Sequence, residues 1–179
     1  MAIEEFSGDY RFLSNFWLCR IEFNKYKFAS VEHAYQAAKS PHKEHWAMFS
    51  ISGSVTKPSE AKRLGRQLRL RDDWETVKIA IMKQLLEQKF PAERNHHLSK
   101  MLDATNNHLL VEGNTWGDKF WGKCDGEGRN VLGKLLMKIR EKNRLVVRAS
   151  ATTPLIEALK KAKTEHWEYE LSDELKGLL

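Results

Sequence analysis

Residues 30–40 read "SVEHAYQAAKS". Ser30 is a good helix N-cap, and Glu32 in the first turn suits the positive end of the helix dipole. Pro41 bars the helix from running on, so residues 31–39 make little more than two turns. Val31, Ala34, Tyr35 and Ala38 supply an apolar face. Glu32, Gln36 and Lys39, spaced four and three apart, stack on one face of their own. A carboxylate, an amide and an amine so placed have two readings. They form a solvated face with a helix salt bridge, or they line a cleft at the rim of the apolar face and there orient and protonate a polar substrate. This helix decides whether the fold is a plain core or a core built around a site.

Upstream of it, irregular chain from residue 6 leads to "RIEF" (20–23) and "YKF" (26–28). These alternate apolar and polar side chains around Asn24-Lys25, as a short hairpin does. Downstream, Pro58-Ser59 opens a helix through about residue 69. "DDWETVKIAIMKQLLEQKF" (72–90) gives the strongest helical period, with Trp74, Val77, Ile81 and Leu85 recurring beside Met82 and Leu86. Pro91 ends it. "AERNHHLSKMLDAT" (92–105) predicts a helix with Leu98, Met101 and Leu102 inward, and "HLLVEG" (108–113) a buried strand. A glycine-rich loop, "NTWGDKFWGKCDGEGRN" (114–130), leads into an amphipathic helix over 130–141, whose stripe is Val131, Leu132, Leu135, Leu136 and Ile139. Beyond 142, "RLVVRASATTP" (144–154) reads as a linker with a Ser/Thr-rich hinge, and "PLIEALKKAKTEHW" (154–167) as a short amphipathic helix.

A chain of 179 residues fits one compact domain. No apolar run approaches the roughly 18–20 residues of a membrane span, and the polar, acidic start "MAIEEFSGDY" does not read as a secretory signal. Only Cys19 and Cys124 occur, which argues against a disulfide framework and for a reducing cytoplasm. The net charge of +6 is uneven. Residues 57–71, "KPSEAKRLGRQLRLR", carry Lys57, Lys62, Arg63, Arg66, Arg69 and Arg71 against Glu60 alone, a patch for phosphates or nucleic acid, or else a solvated helix face.

Two further stretches carry chemistry. In 116–130, Trp116 and Trp121 offer flat faces for a base, and Asp118 and Asp125 offer carboxylates for ribose hydroxyls or acid–base work. Gly122 and Gly126 allow close backbone approach, and Asn130 caps a helix whose N-terminus is a ready anion site. A structural turn with core tryptophans reads equally well there. In "RFLSNFW" (11–17), Asn15 sits among aromatic residues and either holds a turn or faces a ligand. His42/His45 and His96/His97 lack a third converging ligand, so no metal is expected, and no G-x-S-x-G nucleophile motif occurs.

"FLSNFW", "SVEHAYQAAKS", "EAKRLGR", "DDWETVKIAIMKQLLEQKF" and "LLVEGNTWGDKFWGKCDGEGRNVLGKLLMKIR" occur in that order. Together they resemble the NADAR (YbiA-like) family over about residues 6–142. The resemblance implies a single compact α+β domain, mainly helical with short β elements, at 1–142. Residues 143–179 are then a C-terminal extension. It also implies an N-glycosidase that needs no cofactor. Its substrate is either ADP-ribosylated guanine in DNA or RNA or a ribosylamine intermediate of riboflavin synthesis. A non-catalytic ADP-ribose or nucleic-acid binding module is the alternative of another class. The family pattern makes Glu32 and Lys39 pocket residues. It matches Asn15, Trp116, Asp118, Trp121, Gly122, Asp125, Gly126 and Asn130 to its "SNF" and Trp-Gly elements, and Gln36 joins them from the helix face. Breaking an N-glycosidic bond builds positive charge at the anomeric carbon and requires a proton for the departing amine. Glu32 or Asp118 meets the first need as a carboxylate. Alternatively, Lys39 attacks as an amine through a Schiff base, with Glu32 shuttling protons. The lysine scheme is the favoured one.

Overall fold

The computed structural model describes residues 1–93 and 96–164. Its elements run β1 (Ala2–Ile3), a 3-10 turn (Gly8–Leu13), β2 (Leu18–Phe23), β3 (Tyr26–Ser30), α1 (Val31–Ala38), α2 (Lys43–Phe49) and α3 (Pro58–Gly65). There follow α4 (Trp74–Lys89), α5 (His97–Ala104), β4 (Leu109–Leu110), β5 (Gly113–Asn114), β6 (Lys123–Cys124) and α6 (Val131–Thr164). The strands form short pairs only: β1 with β4 in parallel, β2 with β3 antiparallel, and β5 with β6 in parallel. The architecture is α+β and mainly helical. The chain divides into two units, Met1–Arg144 and Leu145–Leu179.

In the first unit, the hairpin forms where the alternation puts it. Asn24 and Lys25 both take positive φ, 49° and 70°, as a tight two-residue turn requires. Ile21 pairs with Phe28, and both are fully buried. Ser30 then ends β3 and caps α1, its Oγ accepting the His33 N–H. Strands β2 and β3 and helices α2, α3 and α4 all pack on α1, and every one of its residues from Val31 to Ala38 is buried. A helix enclosed on all sides is normally apolar all round. Glu32 and Gln36 on α1 therefore need polar space inside the fold. Trp74, Ile81, Met82, Leu85 and Leu86 of α4 and Leu132, Leu135, Leu136 and Ile139 of α6 share one core with it, as their periods predict.

Four local readings change. Helix α2 follows directly after Pro41, held by Trp46 Nε1 donating to the Ser40 carbonyl at 2.9 Å. Helix α3 stops at Gly65 instead of near residue 69, glycine being a weak helix former. Only Leu109–Leu110 of "HLLVEG" is paired, and its partner is β1 at the very start of the chain. Helix α5 begins at His97, with Arg94 and Asn95 outside the described residues.

Helix α6 runs on through the stretch read as a linker. Within the second unit, Ser150, Thr152 and Thr153 turn their hydroxyls back to the carbonyls of Val146, Arg148 and Ala149, four residues earlier. Satisfied in this way, they sit in a helix instead of breaking it. Of the helix expected over 154–167, residues to Thr164 are helical and the rest lie outside the described residues.

Lys89, only 1% exposed, donates to the Ser14 carbonyl at 2.6 Å and so holds the chain just before Asn15. Burial pulls its pKa down to about 7, against the opposing pull of Cys19 and Glu112. Between that value and the ordinary 10.5, the unfolded chain binds the proton that the folded one lacks. Stability from this group therefore rises with pH across that window. Denaturant midpoints at pH 7 and pH 9 are expected to show wild type gaining on Lys89→Met by up to about 1.4 kcal/mol per pH unit.

Candidate active site

A cavity of about 780 Å³ opens between α1, α3, α4 and the loop before α6. That volume lies in the upper range of small-molecule sites, roughly 300–1,000 Å³. Glu32, Gln36 and Lys39 line it, and the polar face of α1 thereby finds its polar space. Asn15, Trp116, Asp118 and Trp121 line it as well, so the early helix and the late tryptophan loop share one cavity.

Glu32, 5% exposed, accepts a hydrogen bond from Gln36 Nε2 at 2.7 Å. Burial pushes its pKa up, while the Gln36 hydrogen bond and the charges of Lys62, Lys39 and Arg66 hold it back. Burial pushes Lys39 down. Glu32 opposes that shift, and Arg66 and Lys62 add to it. Both groups thus move toward their neutral forms. Gln36 is fixed by α3: a Cβ on Gly65 would lie 1.9 Å from Gln36 Oε1, so glycine is required where the two helices meet.

The opposite wall is held by hydrogen bonds within the loop. Asn114 Nδ2 donates to the carbonyls of Asp118 and Lys123, and Asn114 Oδ1 accepts the Asp118 N–H. Asp118 Oδ1 accepts the N–H groups of Phe120 and Trp121 at 3.0 and 2.8 Å, so this oxygen shapes the loop. Trp121 meets Tyr35 edge-on at 5.5 Å, and Trp74 packs on Tyr35 at 5.1 Å. Burial raises the Tyr35 phenol well above its ordinary range, and the charge of Glu32 adds to this. Trp116 stays 56% exposed at the mouth, with Lys62 Nζ 4.8 Å from its ring centre. Asn15 joins the wall through its backbone, its carbonyl accepting the Glu32 N–H at 3.0 Å. Its Oδ1 is buried with no partner.

Four expected site residues lie outside the cavity lining. Asp125 and Gly126 form an exposed turn next to β6. Gly122 is buried against the Glu112 carbonyl, where a Cβ would come to 2.1 Å, so its role is close packing. Asn130 has φ +50° and is 4% exposed. Its Oδ1 accepts the Glu112 N–H and its Nδ2 donates to the Leu110 carbonyl. The expected anion site at the start of α6 is not available. The N–H groups of Asn130, Val131 and Leu132 already donate to the carbonyls of Gly122, Phe120 and Trp121. Asn130→Ala is expected to lose two buried hydrogen bonds and strain a left-handed residue. It should cost about 2–4 kcal/mol of stability, read as a drop in denaturant midpoint.

Several cavity residues were not singled out in the sequence. Lys62, Arg63 and Arg66 were visible as charge, and their spacing on α3 turns them toward the cavity. Tyr35 belongs by its spacing to the apolar face of α1 and also reaches the cavity wall. Glu112 was hidden in the strand reading of "HLLVEG", where a lone carboxylate among apolar residues was the available signal.

The NADAR domain model matches residues 4–144. An N-glycosidase of Nostoc punctiforme is 37% identical over 138 residues, covering 75% of this chain and 86% of that protein. The N-glycosidase YbiA of Escherichia coli is 36% identical over 138 residues, covering 75% and 82%. The NMR structure of Escherichia coli YbiA superposes with a TM-score of 0.67 at 30% identity, covering 96% of this chain and 90% of that one. The riboflavin biosynthesis protein PYRR of Zea mays is 36% identical over 136 residues, which are 70% of this chain and 21% of that protein. Matched over nearly all of its first unit, and sharing its fold with YbiA, the chain belongs to the NADAR family, in the N-glycosidase class of hydrolases.

Proposed function

We propose that the chain cleaves the bond between a ribose anomeric carbon and an amine nitrogen, with ADP-ribosylated guanine in DNA or RNA as substrate. The observation that carries this reading is the pairing of Lys39 and Glu32 in one cavity, each driven toward its neutral form. Glu32 gives its proton to the ring oxygen as the ribosylamine opens to an iminium. The Lys39 lone pair then adds to the anomeric carbon, and Glu32, now a carboxylate, takes the proton that the added nitrogen sheds. Trp121 and Trp74 supply flat apolar walls, and Trp116 at the mouth is open to a stacked base. Lys62, Arg63 and Arg66 offer three cations to phosphates in place of the start of α6. Asn15 Oδ1, buried without a partner at the cavity wall, is free to accept a sugar hydroxyl. Asp118 keeps a supporting role, since one of its oxygens is committed to the loop. The catalytic unit is residues 1–142, with 143–179 an extension. The two free cysteines suit a reducing cytoplasm.

A second reading, hydrolysis of a ribosylamine phosphate of riboflavin synthesis, is favoured by the name of the Zea mays relative. Turnover of an ADP-ribosylated guanosine oligonucleotide is compared with that of the free ribosylamine phosphate. The first reading expects the oligonucleotide to be the better substrate, with a rate that falls steeply as salt rises. Faster turnover of the free ribosylamine, insensitive to salt, favours the second. Tight ADP-ribose binding without release of any base makes the protein a binding module.

A further inference from the structure

Glu112, half-buried, is a further carboxyl of the cavity lining, and the scheme above gives it no task. Its backbone is fixed on both sides. The N–H donates to Asn130 Oδ1 at 3.1 Å, and the carbonyl accepts the Lys123 N–H at 2.9 Å. The side chain lies over Gly122, where an added Cβ would sit 3.1 Å from Glu112 Cγ. Held this way, Glu112 lines the cavity while its Oε2 is buried with no hydrogen-bond partner. A buried oxygen left unpaired is costly, and its place in the cavity lining lets a bound substrate pair with it.

We propose that Glu112 is the general acid of the reaction, giving its proton to the nitrogen that departs from the anomeric carbon. This rests on the N-glycosidase reading above. Once Lys39 has added, the anomeric carbon carries two nitrogens. The lone pair of the Lys39 nitrogen forms the C=N bond, and the bond to the substrate nitrogen breaks. That nitrogen keeps the electron pair, takes the Glu112 proton and leaves as a neutral amine. Glu112, now a carboxylate, then takes a proton from the water that adds to the Schiff base. The sugar is released as an aldehyde, Lys39 is restored as an amine, and the proton inventory closes.

The surroundings suit an acid at neutral pH. Burial holds the Glu112 pKa up at about 7. Lys62 and Lys89 pull it down, and Asp118 and Glu32 push it up. These charged groups face it from α3, α4, the tryptophan loop and α1. The division of labour becomes Glu32 for the lysine and Glu112 for the leaving group.

The test uses Glu112→Gln, with Glu112→Asp as a second variant. Release of guanine-bearing product from ADP-ribosylated guanosine is measured against pH, and borohydride trapping is measured with free ADP-ribose, which carries no amine to expel. Glu112→Gln is expected to slow release by about 10²-fold or more and to lose the alkaline fall of kcat, while free ADP-ribose is still trapped on Lys39 as in wild type. Glu112→Asp is expected to regain part of the rate and the alkaline limb. Release within threefold of wild type overturns the assignment. Loss of release and trapping together, in both variants, also overturns it by showing a structural role. A wild-type protein that releases no base at all defeats the N-glycosidase reading itself, a different and recognisable failure.

Discussion

Lys39→Met is expected to leave a folded protein whose release of base is about 10³-fold or more slower than wild type, a loss of the size seen when a nucleophile is removed. Folding should survive because Lys39 follows the last turn of α1 and its backbone bonds stay intact: its N–H reaches the Gln36 carbonyl, and its carbonyl accepts the Arg71 N–H. Methionine keeps most of the apolar stem and loses only the amine, which lies 5.6 Å from the Tyr35 ring centre. The loss should appear in kcat far more than in substrate binding, since Lys62, Arg63 and Arg66 still line the cavity where the proposed substrate's phosphates would bind. Lys39→Arg separates charge from chemistry. A guanidinium restores the cation but holds its proton at any working pH, so this variant should stay as slow as Lys39→Met. A rapid Lys39→Arg enzyme would mean that Lys39 acts by charge alone. Single-turnover kinetics with all three proteins decide it.

Glu32→Gln is expected to lower the rate by about 10²–10⁴-fold, the range for loss of an acid–base group, while stability is kept or raised. The sign follows from burial. Burial raises the folded pKa of Glu32 above its ordinary 4.5, so above that pH the unfolded chain sheds a proton that the folded chain still holds. Stability contributed by this carboxyl therefore falls as pH rises from about 4.5. Glutamine has no such proton, so the midpoint of Glu32→Gln should gain on wild type as pH is raised through that window. Equilibrium denaturation at pH 4.5 and pH 7 tests this independently of activity. A variant that loses activity and unfolds more easily at both pH values would make Glu32 a structural residue.

The sequence was most legible where one short segment settles its own structure. The α4 period, the Asn24-Lys25 turn and the Ser30 cap are local, and each is found where its residues put it. The polar face of α1 was legible for the same reason, since positions 32, 36 and 39 must align on any helix. What could not be read depends on partners far along the chain. Strand β1 exists because Leu109 and Leu110 accept it, and nothing in "MAIEEFSGDY" announces that pairing. Asn130 reads as a cap and an anion cradle in the sequence only while its neighbours' N–H groups are free. The loop carbonyls of 120–122 that occupy them come from a fold-back with no local mark. Glu112 resembled a strand residue until Gly122 and Asn130 closed around it. The Ser/Thr-rich stretch near 150 misled in the opposite direction, since hydroxyls that favour turns are also satisfied by a carbonyl four residues back.

The polar face of α1 matters only if its amine bonds to the sugar, and borohydride reduction during turnover followed by peptide mass analysis reads that bond directly. The expected result is a reduced ADP-ribose adduct on the peptide that carries Lys39, with none on the Lys39→Met protein. Full turnover by wild type with no adduct, or an adduct confined to another cavity lysine such as Lys62, would contradict it.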